Sequence, residues 1–249
     1  MSTDHYLKEY EKQYTGVEWF EKTLVAARRR RVLESAARHA STRVLEIGCG
    51  MESLISRWPE FESFTIIEPV EDFCRRAQDA APQGKNVAIF NGYLEAQTDA
   101  LQKRAPFDLI VASSLLHEVP DPRKFLETLA TLCSNKTVVH LNVPNVRSFH
   151  RLLALEMGEI HDLFEMSEME TRFGRTTRFD RSTLESMVLD AGFASRHFET
   201  YFVKPFTHRQ MEQLIDSNIL PTSVIGALDR MAQYMPDLGC EMFLEIIKQ

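Results

Sequence analysis

Short apolar runs recur along the chain and indicate buried strands. Residues 44–47 and 64–67 are mostly aliphatic or aromatic, a pattern typical of strands that are buried on both faces of a parallel sheet. Comparable runs follow at 87–90, 107–112 and 138–143. Because helical stretches separate these runs, the pattern predicts an open α/β sheet.

Capping residues mark several helix boundaries. Asp121-Pro122 combines an N-cap with a proline at the first helical position and predicts a helix through about Leu132. Residues 182–185 and 207–210 match capping boxes, and Gly192 is expected to end the first of these two helices. The other elements that we predict are one or two helices at 5–38, helical patches at 149–157 and 160–169, a strand at 195–203, a helix at 222–234 and a last strand at 242–247.

A glycine turn follows the first predicted strand. Gly48 and Gly50 flank Cys49 directly after the apolar run, and glycine permits a tight turn with close approach of the backbone to a ligand. Glu68 closes the next predicted strand about 20 residues later, where an acid can accept hydrogen bonds from two sugar hydroxyls. This spacing is typical of sheets that bind an adenosine-containing ligand.

The residues around the turn argue against a dinucleotide. Met51-Glu52 occupies the place where a third glycine would be expected. A carboxylate in the first turn of the following helix would repel the pyrophosphate that such a turn otherwise cradles. Glu46 adds a second negative charge at the strand end, and these acids suit a ligand that carries an ammonium and a sulfonium.

In this order, the motifs resemble those of the class I S-adenosylmethionine (SAM) methyltransferases, whose first motif is an acidic residue followed by G-x-G. The resemblance is strong over residues 40–145, and the later V-P-N, S-F-H-R and F-x-K-P-F-T-H segments look similar to bacterial members of small-molecule and cell-surface polysaccharide pathways. It implies SAM as cofactor, S-adenosylhomocysteine (SAH) as product, and a Rossmann-like, seven-stranded, mostly parallel sheet with helices on both faces, an antiparallel last strand and a helical cap after strand five. The cofactor-binding residues that it implies are Glu46, Gly48, Cys49, Gly50, Glu68, Pro69, Gly92, Tyr93, Leu94, Ser113 and Ser114.

We expect a single methyltransferase domain over residues 1–249, a length that allows one sizeable core. Residues 1–40 are its N-terminal helical segment, 41–145 the SAM-binding core, 146–180 the acceptor-binding cap, and 181–249 the remaining strands and helices. A cap inserted after the fifth strand would lie at the edge where open α/β sheets bind ligands.

Composition and charge limit the classes of partner that we expect the protein to bind. The net charge of −7 argues against a nucleic-acid or membrane surface, because such surfaces need clustered Lys and Arg. The four arginines at 28–31 are the exception, and we interpret them as a solvated helix face balanced by Glu18 and Glu21. Four cysteines without C-x-x-C spacing, with no signal peptide and no apolar run of transmembrane length, predict a cytoplasmic protein with reduced thiols.

Histidines near strand ends are the candidate general bases. Methyl transfer needs the acceptor atom in line with the sulfonium and, for a hydroxyl or ammonium acceptor, a group that removes its proton. His117 follows strand four, where the resemblance places the segment beside the reactive methyl, and His150 follows the Pro144-Asn145 corner. We predict catalytic roles for both, and we interpret His140, inside an apolar strand, as a core residue.

Two basic groups fall at the same predicted edge of the sheet. Arg147 and Arg151 are spaced to share one face of a helix, and Lys204 and His208 follow strand six. Together they predict a small polar, anionic acceptor, such as a phosphate, a carboxylate or a nucleotide-linked sugar. The resemblance to the bacterial methyltransferases implies methylation at oxygen. The anion either receives the methyl itself, which needs no base, or serves as a handle beside a hydroxyl.

Tyr6, Tyr10 and Tyr14 form an aromatic stripe at helical spacing. Such a stripe belongs either to the core or to a lid over the acceptor. From the lid interpretation we predict that Tyr14 contacts the substrate.

Other functions stay open beside this hypothesis: N-methylation of a small metabolite, a nicotinamide-dependent oxidoreductase, and a non-catalytic SAM-binding module. The acids and the missing third glycine disfavour the oxidoreductase, and the intact glycine turn with Glu68 disfavours a degenerate module. No metal is predicted, although His117, Glu118 and Asp121 could together hold a divalent ion. The sequence leaves a homodimer open.

Overall fold

A computed structural model describes residues 19–166 and 177–249 of the chain. Its strands are β1 (Arg43–Ile47), β2 (Ser63–Glu68), β3 (Val87–Asn91), β4 (Leu109–Ser113), β5 (Val138–Pro144), β6 (Phe193–Tyr201) and β7 (Glu241–Lys248). They form a seven-stranded sheet in the order β3-β2-β1-β4-β5-β7-β6.

Helices connect most of these strands. They are α1 (Trp19–Arg38), α2 (Glu71–Ala80), α3 (Thr98–Gln102), α4 (Pro122–Leu132), α5 (Phe149–Glu156), α6 (Arg181–Asp190), α7 (His208–Asp216) and α8 (Val224–Arg230), with 3₁₀ helices at Leu54–Arg57, Leu94–Ala96 and Met231–Gln233. None of the helices within the described ranges combines the length and the hydropathy that crossing a bilayer requires.

The strand directions confirm the predicted fold class. Strands β1 to β5 run parallel, whereas β7 is antiparallel to both β5 and β6. The carboxyl ends of β1 to β6 therefore lie along one edge, which we call the carboxyl edge, and β7 begins there. Open α/β sheets bind their ligands at this edge.

Apolar side chains cover both faces of the sheet. On one face, Leu141 of β5 belongs to a core with Phe125 of α4. On the other, Val44 of β1 belongs to a core with Val32 of α1 and Phe73 of α2. Burial of these side chains is the main force that holds the helices on the sheet, and it fixes the strand ends that form the carboxyl edge.

His140 lies in β5 as a core residue, in agreement with its interpretation from the sequence. Both ring nitrogens are buried without a hydrogen-bond partner among the described residues, and the ring stacks on Phe243 with centroids 4.7 Å apart. Burial lowers the pKa of His140 to about 4. The ring is therefore neutral near pH 7.

Three local predictions are wrong. No α-helix follows the glycine turn, because a 3₁₀ helix with Ser53 as N-cap takes its place. Helix α6 begins at Arg181, since Asp180 accepts the amide of Thr183 and forms the capping box two residues before the predicted one. Residues 160–166 are not helical, and the end of that predicted patch lies outside the described residues. The Thr207 capping box and the helix that starts at Pro122 are confirmed.

The interpretation of the arginines at 28–31 as a solvated face is also wrong. Each guanidinium pairs with an acid from outside α1, and Arg31 also covers the Tyr201 ring. The pairs are Arg28 with Glu241, Arg29 with Glu52, Arg30 with Asp229, and Arg31 with Asp229 and Glu199. These arginines attach α1 to β7, to β6, to α8 and to the segment after the glycine turn.

Candidate active site

The glycine turn lies between β1 and the loop that follows β4. Gly48 adopts φ +73°, and its amide donates to the Ile67 carbonyl at 2.9 Å. A Cβ at Gly48 would meet the Leu115 side chain at 3.4 Å, whereas a Cβ at Gly50, with φ +59°, would meet nothing within 4 Å. Both positions therefore suit glycine, and open space beside Gly50 lets a ligand lie against the backbone.

Glu68 ends β2 next to this turn and is 3% exposed. Its Oε2 accepts from the Gly50 amide at 3.2 Å and its Oε1 from the Val70 amide at 2.9 Å. Burial raises the pKa of Glu68, although these donors oppose the shift. The donors fix the carboxylate, and each oxygen keeps a second lone pair. The group therefore fits a ribose that presents two hydroxyls.

The end of β3 is tied to the same carboxylate residue. The Gly92 amide donates to the Glu68 carbonyl at 3.0 Å, and the Asn91 side chain donates to the Pro69 carbonyl at 3.0 Å. Tyr93 follows and is 42% exposed. The structure thus brings Glu68 together with the 92–94 segment, to which the resemblance assigns cofactor binding.

The other predicted cofactor residues occupy neighbouring strand ends. Cys49 and Leu94 are buried, and burial raises the pKa of the Cys49 thiol, which keeps it protonated. Ser113 ends β4, and Ser114 has φ +59° while its amide donates to the Asn142 carbonyl at 2.9 Å. A non-glycine residue in this conformation is uncommon, and it turns the chain sharply after β4.

Glu46 holds the turn itself rather than an open surface. Its side chain is buried, one oxygen accepts from the Ser53 hydroxyl, and the other accepts from the Leu54 amide at 3.0 Å. Burial raises the pKa of Glu46 to about 7. The carboxyl group therefore fastens the loop to β1, a contact that the sequence did not indicate because Ser53 and Leu54 belong to no motif.

Glu52 is an ion-pair partner and does not leave an uncompensated charge at the turn. It contacts Arg29 and Arg57, and the hydrogen bond from Arg29 is the main cause that lowers its pKa. The predicted repulsion of a pyrophosphate by Glu52 is therefore weakened. The four-residue 3₁₀ helix Leu54–Arg57 argues against a dinucleotide instead, because it lacks the long helix dipole that cradles a pyrophosphate.

His117 lies in the loop after β4 and is 4% exposed. Its Nε2 is 3.6 Å from Oε1 of Glu118. Leu115 of the same loop would contact a side chain at Gly48. His117 therefore belongs to the loop that borders the glycine turn.

Lys204, His150 and His208 meet farther along the carboxyl edge, and we call them the basic cluster. Lys204 follows β6, is 3% exposed and donates from Nζ to the Phe206 carbonyl at 3.0 Å. Burial lowers the pKa of all three groups, and the Lys204 charge lowers the pKa of both histidines further. The histidines are therefore neutral near pH 7 beside a buried ammonium.

The basic cluster is incomplete within the described part of the chain. His150 Nδ1 is buried without a hydrogen-bond partner there, and the Lys204 ammonium has the Phe206 carbonyl but no carboxylate in an ion pair with it. Buried charges and donors without partners cost free energy. An anionic ligand would supply both missing partners.

Glu21 adjoins this cluster, although the sequence indicated it only as charge balance. Its Oε2 lies 3.2 Å from Nδ1 of His208, and its Oε1 lies 3.7 Å from Arg28. Burial and then the charges of Lys204 and Arg28 lower the pKa of His208 to about 3, so the contact requires a neutral ring with its proton on Nδ1. Glu21 and His208 are too far apart in sequence for any local pattern to pair them.

The cap arginines do not share a helix face, contrary to prediction. Helix α5 starts two residues after Arg147, which is exposed. Burial raises the pKa of Asp180, whereas its hydrogen bonds lower it. The positive charge of Arg147 lowers it further. Arg151 donates from Nη2 to the Leu163 carbonyl at 2.6 Å and also lowers the pKa of His150. Arg151 therefore adjoins the basic cluster, whereas the charge of Arg147 acts on Asp180, the N-cap of α6.

Backbone strain accompanies the turn into Lys204. Phe202 has φ +62°, and its carbonyl accepts from the Cys240 amide at 3.0 Å. A Cβ at Gly239 would lie 2.3 Å from the Tyr201 amide nitrogen, so only glycine fits there. Strained residues persist where the surroundings fix them, and they cluster at functional sites.

Two further predictions concern Tyr14 and Asp121. Tyr14 and the rest of the tyrosine stripe lie outside the described residues. Asp121 caps α4 by accepting from the Lys124 amide at 3.0 Å. Within the described ranges, no group of three or more His, Cys, Asp or Glu side chains is arranged to hold a metal ion.

Comparisons with known proteins give a matching family model and several similar folds. A family model described as a methyltransferase domain matches residues 18–197. Similar solved structures include magnesium protoporphyrin IX methyltransferase from Synechocystis PCC 6803 with bound SAH (13% identity, 94% of this chain and 89% of that chain, TM-score 0.59). Others are a SAM-dependent methyltransferase from Mesorhizobium loti (15%, 83% and 90%, 0.54) and a possible histamine N-methyltransferase from Thermotoga maritima (15%, 98% and 99%, 0.54). No curated protein matches the chain.

Proposed function

The chain belongs to the methyltransferase-domain family of class I SAM-dependent enzymes, and on that premise we propose that it transfers a methyl group to a small polar, anionic acceptor, at oxygen. The observation that carries the proposal is the presence of two sites on one carboxyl edge. One is the glycine turn with Glu68, and the other is the basic cluster with its missing anion.

The glycine turn and the neighbouring strand ends hold the cofactor in this proposal. Glu68 accepts from the two ribose hydroxyls, and its position is supported by the Gly50 and Val70 amides. Glu46 keeps the turn in shape through Ser53. The other residues assigned to the cofactor are Gly48, Cys49, Pro69, Gly92, Tyr93, Leu94, Ser113 and Ser114.

SAM supplies an electrophilic methyl group when it is bound. The acceptor oxygen forms a bond to the methyl carbon while the carbon–sulfur bond breaks and its electron pair stays on sulfur. The hydroxyl proton leaves to His117 or His150. Burial lowers the pKa of His150, so its ring is neutral near pH 7 and can take a proton. Alignment of the acceptor and exclusion of water supply much of the rate.

The basic cluster and its surroundings bind the acceptor in this proposal. Lys204 attracts the anion as a point charge, and Arg151 adds guanidinium donors near it. His208 lines the site with its neutral ring, whose Nδ1 proton is donated to Glu21. Arg147 and Tyr14 complete the assignment from the sequence. As the resemblance implies, we place the reaction in small-molecule or cell-surface polysaccharide synthesis in the cytoplasm, carried out by a single domain of 249 residues.

Isotope-labelled methyl transfer tests this function. The protein is incubated with SAM that carries a ¹³C-methyl group and with a panel of hydroxylated phosphates, carboxylates and nucleotide-linked sugars. We expect an O-methyl resonance in the ¹³C NMR spectrum of one acceptor class. An N-methyl resonance with amine acceptors would establish the alternative N-methyltransferase, and binding of SAM without transfer to any acceptor would indicate a non-catalytic module.

Variants separate acceptor use from cofactor binding. His150→Ala and Arg151→Ala are expected to lower methyl transfer while SAM affinity stays unchanged, because both residues adjoin the basic cluster. His161→Ala is the matched control, since His161 is an exposed histidine that follows α5. A loss of thermal stability alone in the first two variants would contradict the acceptor assignment.

A further inference from the structure

The two sites of the carboxyl edge belong to different strands. The glycine turn follows β1, Glu68 ends β2, Gly92 follows β3, and His117 lies in the loop after β4. No residue of the basic cluster comes from these four strand ends. The cofactor site therefore occupies one half of the sheet.

The basic cluster lies over the other half. Lys204 follows β6, and the groups that raise its pKa against burial are Cys240, just before β7, then Glu21 of α1, and Glu241, which begins β7. The amide of Phe149, which begins α5, donates to the Leu238 carbonyl at 3.0 Å just before β7. His150 is the next residue of α5. Because α5 itself follows β5, the cluster spans the carboxyl ends of β5 and β6 and the start of β7, which lies between them.

The strand order indicates how far apart the two sites lie along the sheet. From β4, where the cofactor half ends, the sheet continues through β5 to β7. Neighbouring strands are ~4.8 Å apart, so two spacings amount to about 10 Å. A single phosphate or carboxylate is too small to contact the basic cluster and also lie beside the loop after β4.

We propose that the basic cluster is a handle site that binds an anionic group of the acceptor about 10 Å from the atom that receives the methyl. The inference rests on the proposed function and names its substrate class. The acceptor is an elongated molecule with a phosphate or carboxylate at one end and a hydroxyl at the other. The charge of Lys204 and the open Nδ1 of His150 recognise the anionic end.

This arrangement separates the roles of the two candidate bases. His117, in the loop that borders the glycine turn, stays beside the reacting end, whereas His150 contacts the anionic end. The acceptor hydroxyl forms the bond to the methyl carbon and gives its proton to the His117 ring, while the carbon–sulfur bond breaks and its electron pair stays on sulfur. The anionic oxygens do not receive the methyl group.

Calorimetry with inorganic phosphate tests the handle site on the full chain. We expect millimolar binding by the wild type, at least a tenfold loss in Lys204→Met, and the same affinity with and without saturating SAH. Lys248→Met is the matched control, because the Lys248 ammonium also donates to a carbonyl, that of Ala130, but is exposed. Lys204→Met removes a buried charge, so the variant is expected to fold.

Equal phosphate affinity in Lys204→Met and the wild type would mean an adventitious ion only and would overturn the proposal. Mutual exclusion of phosphate and SAH would also overturn it, because the two would then share one site. If SAM binds and phosphate does not, the handle site fails and methyl transfer survives. If SAM itself does not bind, the proposed function fails first.

A spacer series tests the distance. Hydroxyalkyl phosphates of increasing chain length are incubated with ¹³C-methyl SAM, and methyl transfer to the terminal hydroxyl is measured by NMR. Transfer is expected to be greatest where the extended spacer spans about 10 Å and to disappear in Lys204→Met. The highest rate with the shortest member, or no transfer at any length, would contradict the proposed separation.

Discussion

The two halves of the carboxyl edge treat buried charge in opposite ways. In the cofactor half, Glu46 and Glu68 each accept hydrogen bonds on both oxygens from nearby loop groups. In the basic cluster, Lys204 donates to a carbonyl alone among the described residues, and His150 keeps a buried nitrogen without a partner there. The buried carboxylates of the first half have their donors, whereas the basic cluster lacks an anionic partner within the described residues, as the proposed handle site requires.

Pairing, rather than the number of charges, separates a structural cation from a ligand-binding one. Arg28 lies close to the basic cluster, yet its guanidinium is 3.1 Å from Glu241 and its side chain is 12% exposed. Lys204 is 3% exposed and, among the described residues, forms no ion pair with an acid. This difference supports a scaffold role for Arg28 and the proposed ligand-binding role for Lys204.

The largest expected effect comes from breaking the scaffold pair. Arg28→Met leaves the Glu241 carboxylate buried without its cation, which typically costs about 3 to 5 kcal/mol of folding free energy. The measurement is urea unfolding at pH 7. Arg30→Met is the control, because Arg30 is 54% exposed. Equal losses in both variants would remove the distinction between buried and exposed members of the arginine run.

The next effect tests Glu46 in the cofactor half. Its folded-state pKa of about 7 lies above the unfolded value of 4.5, so the native state binds the proton more tightly. The resulting stability is present below pH 4.5 and is lost as the pH rises through about 7. Glu46→Gln stays neutral and has no such titration.

Urea unfolding across this pH range measures the effect. Relative to Glu46→Gln, the wild type is expected to lose about 3 kcal/mol between pH 4.5 and 7 and to change little above that. The difference between the two proteins isolates Glu46 from the other groups that titrate. A difference that stays constant with pH would show that the carboxyl is not buried as described.

Glu68→Ala tests whether the Glu68 carboxylate binds SAM. We expect SAM to bind more weakly by about 1.5 to 3 kcal/mol, because charge-assisted hydrogen bonds to the ribose are lost. Glu62→Ala, at the opposite end of the same strand region and exposed, serves as control. Calorimetric titration gives the affinities, and unchanged SAM affinity in Glu68→Ala would remove Glu68 from the site.

The smallest expected effect concerns the stability of the protein when Lys204 of the basic cluster is replaced. Lys204→Met replaces a buried, incompletely paired charge by an apolar side chain of similar length, so we expect stabilisation by about 1 kcal/mol. Thermal unfolding measures it in phosphate-free buffer. A loss of stability as large as that in Arg28→Met would mean that Lys204 is also part of the scaffold.

The sequence predicted the local structure around the glycine turn well because its signals are local. The apolar run into Gly48, the spacing to Glu68 and the N-cap at Asp121 each depend on a few neighbouring residues, and the structure has each of these features. The sheet direction of β7 followed from the resemblance. The sequence wrongly predicted an α-helix after the turn. Ser53 caps a 3₁₀ helix there instead.

The contacts of the basic cluster were predicted less completely, because the residues that form them are distant in sequence. Lys204, His150 and His208 were expected at one edge, and their shared electrostatics support that expectation. The place of Glu21 beside His208 depends on how α1 packs against α7, which no local pattern encodes. The arginines at 28–31 resembled a solvated face for the same reason, since their partners lie on other elements.

Calorimetric titration of the purified protein with SAM and SAH, with NADH as control, tests the central claim most directly. The account predicts micromolar binding of SAM and SAH and no binding of NADH. Binding of NADH alone, or of none of the three, would contradict the assignment of the glycine turn and Glu68 as an adenosyl-sulfonium site. The roles given to the basic cluster would then lose their premise.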